Sequence, residues 1–116
     1  MGNIYYYDGR ESGIDGFYDY NHDIICINTY LDDIDKKKVL YHELGHVGQH
    51  LENYERMREK FELQADRNMI HHLVKEELAS MDDVKEFNYV RFMEKYELTS
   101  LADEIMVKEE FFNLID

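Results

Sequence analysis

"LYHELGHVGQH", Leu40 to His50, sets a glutamate between two histidines, with a third histidine four residues further on. Read as a helix, the stretch turns about 100° per residue. Leu40, Leu44, Val47 and Leu51 then form one narrow apolar stripe expected to face a core. His42, His46 and His50 stack on a second stripe roughly opposite, and Glu43 sits beside them. Gly45 and Gly48 fall on the flank between the stripes, where they would let another backbone approach. A helical glycine costs about 1 kcal/mol against alanine, so two of them ask for a packing or functional reason.

Metal chemistry needs this spacing. Two imidazoles one turn apart can each aim a nitrogen at a single Zn²⁺, with bonds of about 2.0–2.1 Å. The glutamate next to the first histidine cannot easily reach the same ion. It is placed instead to take a proton from the attacking water. His42 and His46 are therefore candidate metal ligands, and Glu43 is the candidate catalytic base. His50 is expected to be structural or to support a ligand without touching the metal, because the first and third histidines lie about 12 Å apart along a helix axis. A polar helix face with solvated histidines is the plainer reading of the same residues, so a second, independent element is needed.

A catalytic zinc wants three protein ligands and one open position. The metzincin pattern would place Gly three residues and His six residues after His46; Gln49 and Glu52 stand there, which excludes that class. A glutamate from a following helix is the remaining common solution. In "FELQADRNMIHHL", Phe61 to Leu73, an apolar stripe runs through Phe61, Ala65, Met69 and Leu73, and Glu62 and Asp66 fall inside it one turn apart. Carboxylates on a buried face are expensive unless paired or metal-bound. Glu62 is the candidate third ligand. Asp66 is expected to hold the far nitrogen of a ligand histidine. The alternative is a half-buried face on which both acids reach water.

The rest of the chain frames these two helices. The 116 residues point to one domain, residues 1–116. With 44% hydrophobic and 14% aromatic residues it can bury a modest core. Asp and Glu number 26 against 13 Lys and Arg, for a net charge of -13. That sign disfavours direct nucleic-acid binding and suits a basic protein partner. Cys26 is the single cysteine, so no internal disulfide can form, in keeping with a reducing cytosol. It is expected in the core of a strand. "MGNIYYYDGR" has no basic start and no apolar segment, and Tyr6 stands where a myristoylation pattern wants Ser or Thr. The run "IICI" is too short to span a membrane. A soluble, cytoplasmic protein is expected.

The character of the chain changes near Asp32. Before it, "NIYYYD", "FYDY" and "IICINTY" are strand-like, "DGRESGIDG" is a glycine-punctuated loop, and "NHD" is a plausible hairpin turn. Tyr5 to Tyr7 are expected to pack on the sheet. After it there is no proline, and helices are expected over 35–52 and 55–79. A third is expected from the Ser-x-x-Asp capping form at Ser80–Asp83, and a fourth from Ser100 and Asp103. The class is α+β: a small antiparallel sheet, then a helical half carrying the His-Glu-x-x-His helix and a second, Glu-bearing helix. His71 and His72 are expected at the surface. Tyr30, Tyr41 and Tyr54 are candidates to stabilise charge on a scissile carbonyl.

"HELGHVGQH" followed by "ELQAD" resembles the ImmA/IrrE family of metallopeptidases from phages, mobile elements and bacterial genomes. The strand "IICIN", ending at Asn28, is similar too, and the likeness runs over roughly residues 16–73. The resemblance implies a zincin-like helical half with His42, His46 and Glu62 as zinc ligands and Glu43 as the base. A histidine is frequent in the family at the position of His50. Gln64 stands where a second Glu is frequent, which leaves Glu62 as the sole acid for the role. Asn68 and Met69 stand where Phe-Ala is favoured, a departure that touches packing more than chemistry. A short member without the usual helix before the sheet is expected. The resemblance further implies a zinc endopeptidase of a bacterial host that cleaves a DNA-binding repressor of a phage or mobile element. The substrate would be held as an added strand on a sheet edge, at Ile24 to Asn28. One rival is a zinc-containing anti-repressor that binds its partner without cleaving it; an intact Glu43 argues against that. A purely structural zinc site is disfavoured, since such sites favour four cysteine-rich ligands.

Overall fold

The computed structural model describes residues 3–115, which form two units, one up to Met69 and one from Ile70. The first opens with strands β1 (Asn3–Tyr7), β2 (Gly16–Asp19) and β3 (Ile24–Asn28). The β2–β3 hairpin turns where "NHD" stands. Asp19 Oδ1 accepts from the backbone N–H groups of Asn21 and His22, at 3.0 and 3.3 Å, and Asp23 takes a left-handed φ of 53°.

The sheet is mixed, and not the antiparallel one expected. Its order is β1-β3-β2, with β3 antiparallel to β2 and parallel to β1. The glycine-punctuated loop 8–15 carries the chain from one edge of β3 to the other, and Asn28 anchors it. Asn28 is buried, and its Oδ1 accepts from the Gly9 N–H at 3.2 Å and the Tyr30 N–H at 3.0 Å. A Cβ on Gly9 would lie 2.4 Å from Asn28 Cγ, so only glycine admits this contact. Strand alternation buries Ile25 and Ile27 completely and turns Cys26 to the other face. Cys26 is thus half-buried and outside the core, contrary to expectation. Tyr5 and Tyr6, on the edge strand, are exposed where packing was expected.

Helix α1 covers Asp33–Leu44 and starts on Asp32, whose side chain accepts from the Asp35 N–H at 2.7 Å. It ends well short of the expected residue 52. The Gly45 N–H is shared between the carbonyls of Tyr41 and His42, and the next bonds, His46 to Glu43 and Val47 to Leu44, span three residues. The coil tightens, and Gly48, at φ 87°, turns the chain away. A short 3₁₀ turn at Leu51–Asn53 follows. His50 precedes that turn with an 83% exposed side chain, so the three-histidine stripe stops at His46. The apolar stripe of Leu40, Leu44, Val47 and Leu51 is half-buried and not core.

Helix α2 runs over Tyr54–Ala79, with one non-helical residue, Met57, near its start. Its stripe of Phe61, Ala65 and Met69 is buried in the first unit, as the periodicity predicts.

The second unit takes the rest of α2 and adds α3 (Tyr89–Lys95) and α4 (Leu101–Ile115) around Ile70, Leu73, Val74, Phe92, Met106 and Val107. Ser80–Asp83 starts no α-helix. The Ser80 hydroxyl donates backward to the Glu77 carbonyl at 2.8 Å, closing α2, and Asp83 caps only a three-residue 3₁₀ turn. The cap of α3 is Asn88, which accepts from the N–H groups of Val90 and Arg91. Ser100 opens α4 as expected, its Oγ accepting from the Asp103 N–H at 3.0 Å. His71 is no free surface residue: its Nδ1 lies 2.9 Å from Oε2 of the buried Glu110.

Candidate metal centre and cleft

Gly45 lets the two site helices meet. A Cβ there would sit 2.7 Å from the Ala65 Cα and 3.1 Å from the Asn68 Cβ. The close approach is secured by Asn68 Nδ2, which donates to the Tyr41 carbonyl at 2.7 Å. Gly48 has open space around it, so its role is the positive φ and not the close approach anticipated for both glycines.

With α2 against α1, one donor atom each from His42, His46 and Glu62 falls within 4.8 Å of the others. Glu62 Oε1 is 3.5 Å from His42 Nε2, and Glu62 Oε2 is 3.0 Å from His46 Nε2. The far nitrogens are both engaged. His42 Nδ1 is 2.8 Å from Asp66 Oδ1, and His46 Nδ1 is 2.8 Å from Gln49 Oε1. Asp66 meets His42, one of the two histidines anticipated for it. Gln49 entered the sequence argument only as a residue that is not glycine; its sole signal was a three-residue spacing from His46.

These contacts test whether a metal fits. An ionised carboxylate only accepts, so His42 carries a proton on Nδ1, and in the neutral ring its bare Nε2 is turned to the centre. Glu62 Oε2 is buried and receives no hydrogen bond, although His46 Nε2 is beside it. A buried carboxylate oxygen facing imidazole nitrogens lacks a positive partner, and a cation supplies one. Two imidazole nitrogens and one carboxylate oxygen are also the donor types of a catalytic zinc. The residues fit the ion.

Glu43 stands beside this cluster. Burial pushes its carboxyl above the usual carboxylate range, against the pull of His42, His46 and the Tyr18 N–H that bonds to it. A carboxylate moved in that direction is a better proton acceptor near neutral pH. At His42 burial acts downward on the imidazolium, but the hydrogen bond and charge of Asp66, with the charges of Glu43 and Glu62, outweigh it and raise the pKa.

Two hollows flank Glu43. One, of about 230 Å³, is lined by Phe17, Tyr18, Glu43, His46, Leu51, Tyr54 and Glu62. The other, of about 210 Å³, is walled by Gly16, Val39, His42 and Met69. Of the three candidate tyrosines, Tyr54 lines the cleft, its ring stacked on His46 with centroids 6.3 Å apart. Tyr30 is exposed and lies under the Arg10 guanidinium. The strand along the cleft is β2. β3 is the central strand with both edges paired, so it cannot take the added strand expected at Ile24–Asn28.

The IrrE N-terminal-like domain family (peptidase M78) matches residues 3–113, far beyond the segment in which the motifs lie. No curated protein matches the chain. No solved structure matches it either.

Proposed function

The chain belongs to the IrrE N-terminal-like domain family, a metallopeptidase family of zincin-like fold, and from that premise we propose that it is a zinc-dependent endopeptidase. The observation that carries this reading is the buried Glu62 Oε2, left without a hydrogen bond between two histidines whose other nitrogens are already satisfied. His42, His46 and Glu62 would hold the zinc, which when bound polarises a carbonyl and lowers the pKa of water. Glu43 takes the proton of the attacking water and passes it to the leaving amine. Tyr54 is placed to donate to the carbonyl oxygen as it gains charge. The substrate lies along β2, the edge strand whose Tyr18 N–H already points at Glu43.

The proposed substrate is a DNA-binding repressor of a phage or mobile element in a bacterial cytoplasm. The net charge of -13 supports a basic partner. No helix among the described residues is long and apolar enough to cross a membrane.

Elemental analysis of the purified protein tests the metal and is expected to find about one zinc per chain. Stripping it with a chelator should lower the melting temperature and abolish cleavage of the repressor, and added zinc should restore both. Cleavage that persists in the metal-stripped protein would overturn the reading. Asp66→Ala is expected to lose about 10–100-fold in metal affinity or turnover, the usual scale when the partner of a ligand histidine is removed. Unchanged values in a competition titration would make Asp66 an ordinary polar residue.

A further inference from the structure

We propose that Gln49 is a positioning residue: its side-chain amide holds His46 in the tautomer that presents Nε2 to the metal, and ties that histidine to the turn of α2 carrying Glu62. The proposal rests on the reading of His42, His46 and Glu62 as zinc ligands, and it follows from which groups can donate and which can only accept.

Gln49 Nε2 is 3.2 Å from the Phe61 carbonyl and 3.1 Å from Gln64 Oε1. The Phe61 carbonyl can only accept, so the amide nitrogen must face it. That fixes the amide with Oε1 toward His46 Nδ1, at 2.8 Å. An amide oxygen can only accept, so Nδ1 carries the proton. In the neutral ring Nε2 is then bare, 3.0 Å from Glu62 Oε2. A bare Nε2 and Glu62 Oε2 then leave two acceptors facing each other, which a cation between them would satisfy.

The amide also spans two elements. The left-handed turn at Gly48 leaves Gln49 beside His46, and Phe61 immediately precedes Glu62. One side chain therefore orients His46 and sets its spacing from the Glu62 turn. His42 is oriented by a carboxylate, Asp66, while His46 is oriented by a neutral amide. The two histidines are held by partners of different charge.

Three measurements test this. Long-range ¹⁵N–¹H NMR of the metal-free protein, recorded where its imidazoles are neutral, should show His46 protonated on Nδ1. In Gln49→Ala the ring should shift toward the Nε2–H form, which can donate to Glu62. Zinc affinity, by competition with a chromophoric chelator, should fall about 10–100-fold in Gln49→Ala, with a changed d–d spectrum in the cobalt-substituted protein. Gln49→Glu keeps an oxygen for Nδ1–H but loses the donor to the Phe61 carbonyl, so it should keep the Nδ1–H tautomer while recovering only part of the zinc affinity. An Nε2–H tautomer in wild type, or wild-type affinity and cobalt spectrum in Gln49→Ala, would overturn the proposal. So would an Nε2–H tautomer in Gln49→Glu. The wild-type spectrum decides the tautomer even if Gln49→Ala does not fold. Wild type that binds neither zinc nor cobalt would instead defeat the metal-site reading.

Discussion

Glu43→Gln is expected to fold, keep its zinc and still grip its repressor, while cleaving it at least about 10²-fold more slowly, the low end of what a general base contributes. The substitution keeps the size of the side chain and an oxygen for the Tyr18 N–H, and removes the carboxylate that borders both hollows without being part of the cluster. The measurement is co-expression with a candidate repressor, then mass analysis of fragments and a pull-down. Fragments with wild type, and an intact, bound repressor with the variant, are the outcome for an enzyme. If both relieve repression equally and neither yields a fragment, the protein is an anti-repressor that acts by binding.

Glu62→Ala is expected to lose zinc altogether in purification, a larger effect than the roughly 10–100-fold of removing an outer partner. Glu59→Ala and His50→Ala, at exposed positions, should keep it. The sign of the stability change separates a ligand from a structural acid. Glu62 Oε2 is buried without a hydrogen bond, so its removal should not destabilise the metal-free chain. What should vanish is the rise in melting temperature on adding zinc, which reflects binding to the folded state alone. Full zinc content in Glu62→Ala would remove Glu62 from the ligand set.

A protein partner, and not a nucleic acid, is consistent with both the charge and the site. The cleft runs beside an open strand edge, and such an edge recognises an extended peptide through its backbone. In the proposed complex the aromatic residues Phe17, Tyr18 and Tyr54, which line the cleft, would meet its side chains.

The sequence by itself determined the parts of this protein that depend on local periodicity. His42 and His46 are four residues apart, about one turn of a coiled backbone, and Glu62 and Asp66 share a face of α2 because a helix repeats every 3.6 residues. The α+β division, the course of α2 and the opening of α4 at Ser100 were legible for the same reason. Only the tertiary structure decided what depends on contacts across the chain. Strand order is a matter of non-local pairing, and the loop 8–15, held by Asn28, put β3 in the middle and left β2 as the strand beside Glu43. The end of α1 depended on the φ of one glycine, Gly48, which a helical wheel cannot register. His71 and Glu110 met across 39 residues, and Gln49, in the bend after α1, found Phe61 and Gln64 on α2. Ligand types and their spacing are written along the chain. The hydrogen-bond partners that orient those ligands come from distant segments, and only packing brings them together.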